Sequence, residues 1–270
     1  MTAEELLRQM IDYLEAERSD KYYLRRKVED RPDYGDYSMH DKWRALINTR
    51  PAWPISEDYL DLEDEYLKRW RDQEGTVSLD KLEPALDRIY LWQGDICRLA
   101  VDGIVNAANS FLLGCFIPNH KCIDNTIQTR AGVRLRLALN DIMEDQGHNE
   151  PVGKVKTTSA YHLPAKYILH TVGPRIESDR VSPIRQNLLK QSYLSCLKEA
   201  DRLGLTSLAF PCISTGEFHF PNDLAAQIAF NTVRDYLKKS GSSLQVIFNV
   251  YLDQDLHLYQ DLIDRLEGEE

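Results

Sequence analysis

Between Gly114 and Asn125 the chain reads GCFIPNHKCIDN, a short stretch that gathers two thiols, an imidazole and a carboxylate. Thiolate sulfur and imidazole nitrogen are zinc donors, with bonds of roughly 2.0–2.3 Å. A helix would stack Cys115 and Cys122 on one face and carry His120 far round the cylinder, and Pro118 opposes a helix in any case. A loop curled round an ion brings all three together. Three protein donors leave a tetrahedral ion one open position, the arrangement of catalytic zinc. Cys115, His120 and Cys122 are therefore the expected ligands of one Zn2+ per chain. The remaining cysteines, Cys97, Cys196 and Cys212, fall in strand or helix contexts where thiols act as small hydrophobes. His170, in YILHTVGP, reads as a core or strand-end histidine.

From residue 86 onward the chain supplies the elements to position such a loop. RIYLWQGDI, DGIVNAAN, KVKTTSAYHL, YILHTVGP, SLAFPCIS and LQVIFNVYL are short apolar, β-branched runs, several bounded by turn residues. Helical patterns lie between them, among them one that the spacing predicts as a single helix from Thr126 to Met143. Alternating strands and helices predict an α/β domain over residues 86–270 with a largely buried sheet. Ligands of such sheets bind beyond the carboxyl ends of the strands. Four loops there have suitable composition: Gln93–Ile96, Asn106–Asn109, Pro211–Phe218 and Leu252–Asp255.

Residues 1–85 differ in character. Leu6, Leu7, Met10, Ile11 and Leu14 share one helix face. RPDYGDYSMHDKW reads as a loop, and DKWRALINTR as a short helix ended by Arg50-Pro51. Ser56 caps a third helix that closes at Gly75. These three helices need a partner for their apolar faces, so the region is expected to pack on the rest as a structural extension.

A formal net charge of −10 over 270 residues argues against passive nucleic-acid binding, which needs a positive surface. A nucleotide held by backbone N–H groups stays open. No apolar run approaches the roughly 20 residues of a membrane span. MTAEELLRQMIDYLEAER lacks the basic start and apolar block of a signal peptide. A cytoplasmic protein is expected, in which thiols serve as metal ligands, nucleophiles or core filler rather than disulfides.

QGDI, VDGIVNAANSFLLG, IDNTIQTRAG, GKVKTTSAYHLPAKYILHTVGP and AFPCISTGEFHFP follow one another in an order and spacing that resemble the macrodomain family, in particular its branch that hydrolyses ADP-ribose adducts. The resemblance runs from about Ile89 to Leu262. It implies a three-layer α/β/α macrodomain with a mixed central sheet, here preceded by an α-helical N-terminal extension. It also implies ADP-ribose as ligand. Asp95 would accept from the adenine amino group, with Ile96 offering its N–H and Tyr251 standing beside the base. The backbone of Ser214, Thr215, Gly216, Glu217 and Phe218 would wrap the diphosphate. Phe218 and Asn109 would meet the distal ribose, and Ile123 and Asp124 complete the ligand-binding set.

Most hydrolytic macrodomains carry a glycine run after NAAN. Here the Cys-His-Cys segment replaces it, so the glycine-loop mechanism cannot be transferred. The segment is similar to the zinc-dependent macrodomain subfamily, in which these residue types of this loop bind the metal. Asp124 stands where hydrolytic members carry a catalytic acid. With Asn109 it is expected to serve catalysis, orienting or deprotonating water; capping the following helix is a second, compatible role. The implied reaction is hydrolysis at C1″ of the distal ribose, which frees a mono-ADP-ribosylated protein side chain. The subfamily further implies a bacterial source, a partner enzyme that attaches ADP-ribose, and a lipoyl-type carrier protein as the modified target. The pocket motifs equally fit a reader that binds ADP-ribose around a structural zinc without cleaving anything.

Overall fold

A computed structural model describes residues 1–21, 35–178 and 180–267; residues 31–34 of the expected RPDYGDYSMHDKW loop lie outside them. Three helices come first: α1 (Ala3–Lys21), α2 (Met39–Thr49) and α3 (Glu57–Glu74). Ser38 and Ser56 cap the second and third, each side-chain oxygen accepting an N–H three residues on. At Gly75 a φ of 72° takes the chain out of α3.

Strands β1 (Val77–Ser78), β2 (Pro84–Leu86), β3 (Ile89–Gln93), β4 (Leu99–Ala100) and β5 (Gly103–Ala108) follow. Then come α4 (Ile123–Ala131), α5 (Val133–Gln146), β6 (Val155–Ser159), β7 (Tyr167–Val172) and α6 (Pro183–Arg202). The chain continues through β8 (Ser207–Phe210), α7 (Asn222–Lys239), β9 (Gln245–Val250) and α8 (Asp253–Glu267). None of the described helices is long and apolar enough to cross a membrane.

Seven strands form a mixed sheet in the order β2-β3-β9-β8-β5-β7-β6. The five inner strands are parallel, and β2 and β6 pair antiparallel at the two edges. Successive strand residues point to opposite faces. Ile104, Ile168 and Ile247 thus meet Ile127 and Leu139 of α4 and α5 on one side. Val105, Leu169 and Phe248 meet Tyr193, Phe230 and Tyr259 of α6, α7 and α8 on the other. Burial on both faces explains why these strands read as continuous apolar runs. The extension has its own core of Leu6, Met10, Trp43, Tyr59 and Leu67, which Val133 of α5 joins. It is also stitched on through β1, which pairs parallel with β4.

One helix departs from expectation. The run predicted from Thr126 to Met143 is two helices, broken at Gly132, whose φ is 87°. A Cβ there would lie 2.7 Å from Glu63 Oε2. That buried carboxylate reaches in from α3 and accepts the Val133 N–H at 2.9 Å, starting a new helix. Burial pushes Glu63 up to about 7.

The topology also creates a crevice. From β5 the chain moves outward to β6 and β7, then crosses back to β8 on the other side of β5. β5 pairs with β7 along its whole length but with β8 only at Gly103↔Leu208 and Ile104↔Ala209. The two strands therefore part toward their carboxyl ends, at the point where strand order reverses and open α/β sheets bind ligands.

Candidate functional site

The β5–α4 connection enters this crevice as a loop with left-handed backbone at Leu112, Gly114, Phe116 and Asn119. The donor atoms of Cys115, His120 and Cys122 all lie within 4.8 Å of one another. Cys115 Sγ is 3.9 Å from Cys122 Sγ and 3.5 Å from His120 Nδ1. The other ring nitrogen, Nε2, lies 3.4 Å from Glu217 Oε1 across the crevice. Cys122 is the N-cap of α4: its sulfur accepts the Asn125 N–H at 3.4 Å. Asn125 Nδ2 lies 3.5 Å from Cys115 Sγ.

The contact between the two thiols drives them in opposite directions. The Cys122 S–H, then the Asn125 amide, the Ile117 N–H and His120 hold Cys115 well below the usual thiol range, against burial. The same contact, with burial, holds Cys122 up. A sulfur already biased toward thiolate, a second thiol at a helix N-terminus and an imidazole form a donor set that fits zinc.

Asp124 sits in the first turn of α4, yet the helix cap is the Cys122 sulfur rather than its carboxylate. Its Oδ1 accepts from Asn106 Nδ2 at 2.8 Å. That amide nitrogen is also 3.2 Å from His170 Nδ1, and His170 Nε2 is 2.9 Å from Thr158 Oγ1. Burial drives His170 down to about 3, so the ring is neutral. Accepting from Asn106 on Nδ1 leaves its proton on Nε2, directed at Thr158. Burial pushes the Asp124 carboxyl up to about 6, opposed by the Asn106 amide. Asp124 Oδ2, Asn106 Oδ1 and Ser214 Oγ are buried without a protein partner. Each such group costs about 1–3 kcal/mol unless a ligand satisfies it.

Asn109 spends its amide on the loop itself, with Nδ2 donating to Gly114 O and Oδ1 accepting from Phe111 N, both at 2.9 Å. Asp95 closes the turn after β3 by accepting the Cys97 N–H at 2.9 Å. Its second oxygen is 3.1 Å from Arg130 Nη2. Arg130 is itself clamped by Glu74 and lies 4.1 Å over the Trp70 ring, both on α3. Ile96 is buried and Ile123 half-buried.

After β8, Ser214 takes a φ of 70°. The N–H groups of Thr215, His219 and Phe220 bond within the loop, whereas those of Gly216, Glu217 and Phe218 stay outside its backbone bonds. Phe218 packs toward the α4 face of the sheet. Tyr251 is 75% exposed, at the rim beyond β9. The carboxyl ends of β3, β5, β8 and β9 thus contribute the expected residues to one edge of the sheet. Gly173, after β7, was not singled out in the sequence, although a Cβ there would fall 2.0 Å from Ser214 Oγ. Arg130 was likewise not singled out, and Asn106 only as the start of a ligand-binding loop, since only the fold brings them to Asp95 and Asp124.

The Macro domain family profile matches residues 105–229. A protein-ADP-ribose hydrolase of Staphylococcus aureus strain Mu50 is 52% identical over 232 residues, covering 84% of this chain and 87% of its own. One from Treponema medium is 47% identical over 224 residues, covering 82% and 85%. The Trypanosoma brucei macrodomain in complex with ADP-ribose superposes with a TM-score of 0.63 at 27% identity, over 82% of this chain and 94% of that one. With this sheet order, this crevice and relatives of that identity along most of its length, the chain belongs to the macrodomain family.

Proposed function

We propose that this macrodomain is a zinc-dependent protein ADP-ribosylhydrolase that removes mono-ADP-ribose from protein side chains by hydrolysis at C1″. Its relatives at 47–52% identity are named protein-ADP-ribose hydrolases, so the chain is a hydrolase acting on ADP-ribosyl linkages. The observation that carries the finer reading is the convergence of Cys115, His120 and Cys122 beside a buried carboxylate, Asp124. That the similar Trypanosoma brucei macrodomain is a complex with ADP-ribose supports this nucleotide as the ligand, and the crevice where strand order reverses is where open α/β sheets take one. The adenine then lies toward Asp95, Ile96 and Tyr251, the diphosphate along Ser214–Phe218, and the distal ribose toward Asn109, Ile123 and Asp124.

Cys115, His120 and Cys122 would hold the zinc, which with two thiolate donors is formally neutral and supplies orientation of a ribose hydroxyl or water more than acidification. Asp124 does the proton work. Asn106 engages its Oδ1, leaving Oδ2 to accept a proton from the attacking water. As the C1″–oxygen bond to the protein breaks, positive charge grows on the ribose ring, and the Asp124 carboxylate stabilises it. The water oxygen bonds to C1″ as its proton passes to Asp124, and that proton then returns through solvent to the departing side-chain oxygen, which restores the Asp124 carboxylate.

Proteins carrying single Asp, Glu or Ser adducts, together with a modified lipoyl-type carrier protein, provide the test. Free ADP-ribose should appear by mass spectrometry, in excess over enzyme, from at least one of them. Tight ADP-ribose binding with no release from any would instead identify a reader with a structural zinc.

Gly173 offers a separate check on the diphosphate loop. Gly173→Ala forces Ser214 away, and overpacking of this kind costs about 1–3 kcal/mol. ADP-ribose affinity by calorimetry should fall by about ten- to a hundredfold, with bound zinc unchanged.

A further inference from the structure

The N-terminal helices, read from sequence as structural, put polar side chains directly on the metal loop. We infer that α2 is part of the metal site, with Arg44 as a positioning residue that orders two of the three ligands. This rests on the zinc reading above.

Arg44 Nη2 donates to the His120 carbonyl at 3.0 Å and to Asn125 Oδ1 at 2.9 Å. The second bond fixes how the Asn125 amide is turned. With Oδ1 facing the guanidinium, Nδ2 must face the loop, because the flipped amide would set donor against donor. Nδ2 there approaches Cys115 Sγ at 3.5 Å and donates to Ile117 O at 3.0 Å. One guanidinium therefore grips the backbone of the histidine ligand and aims an N–H at the sulfur of a cysteine ligand.

Two further contacts from α2 hold the same loop. Asn48 Oδ1 accepts the Asn119 N–H at 3.1 Å, and Asn119 Nδ2 donates to Asp41 O at 3.1 Å. Both grip the residue next to His120, in a loop where Phe116 and Asn119 hold φ values of 53° and 51° that non-glycine residues avoid. The far end of α2 is fixed independently: Arg136 Nη1 donates to Ile47 O at 2.7 Å and Arg50 O at 2.6 Å. Trp43, Leu46 and Ile47 bury its apolar face. Arg44 is therefore not needed to dock the helix, and its bonds act on the loop.

Loss of a partner that orients a metal ligand typically lowers metal affinity by about 10–100-fold. Arg44→Met in the full-length protein should raise the zinc Kd by that factor, measured by competition with a chromophoric chelator. The melting temperature of the zinc-free protein should stay within a few degrees of wild type. Arg44→Lys, whose single ammonium sits on a shorter stem than the Nη2 that serves both acceptors, should restore only part of the loss. Asn125→Ala should mimic Arg44→Met, and the double variant should bind zinc about as well as either single one.

A zinc Kd for Arg44→Met within twofold of wild type would overturn the inference. So would losses in the two single variants that add fully in the double. Wild-type protein that binds no zinc would instead overturn the metal reading itself. If Arg44→Met does not fold, comparing Arg44→Lys with Asn125→Ala decides on the same affinity readout.

Discussion

Cys115→Ser should strip the protein of zinc and lower ADP-ribose release by about a thousandfold, the equivalent of several kcal/mol of lost Lewis-acid assistance. A serine hydroxyl stays protonated at neutral pH and is a poor zinc donor. The Cys115 sulfur is already drawn toward thiolate by Cys122 and Asn125, so the substitution removes the donor best prepared for the ion. The fold should survive. Cys115 is half-buried in a loop and belongs to none of the apolar clusters that hold the sheet and helices together. Elemental analysis, circular dichroism and a release assay on the same preparation separate these effects. A metal-free Cys115→Ser enzyme with wild-type turnover would remove zinc from the chemistry.

Asp124→Asn should leave zinc bound and cut turnover by about 10²–10⁴-fold, the usual range for losing a general base. The amide is nearly the same shape, and its oxygen can still accept from Asn106 Nδ2, so the buried polar chain through His170 to Thr158 is kept. It cannot take a proton from water. ADP-ribose affinity should change by only a few fold, because most of the ligand lies along other loops. Near-normal turnover with zinc in place would mean that Asp124 is not the base.

What the sequence disclosed depended on how far apart the partners lie. The inner strands were legible because burial on both faces leaves continuous apolar runs such as GIVNAA and QVIFNV. Ser56 and Gly75 marked α3 because capping is a local transaction between neighbouring residues. The convergence of the Cys115, His120 and Cys122 donor atoms was legible for the same reason, since the three lie close together in the chain. The break at Gly132 was not, because the carboxylate that meets it and accepts the Val133 N–H, Glu63, comes from α3. Nor were the pairs Asn106–Asp124, Arg130–Asp95 and Arg44–Asn125, which only the folded topology brings together. Arg44 in particular reads in sequence as an ordinary polar residue of an amphipathic helix. Its contacts with His120 O and Asn125 Oδ1 form only once the chain has folded.

The most direct test titrates zinc into chelator-stripped protein while ADP-ribose release is followed from a modified protein. Release should rise from near zero in proportion to added zinc and break sharply at one equivalent per chain. Full release by protein shown to be metal-free, or a rate indifferent to added zinc, would contradict the account.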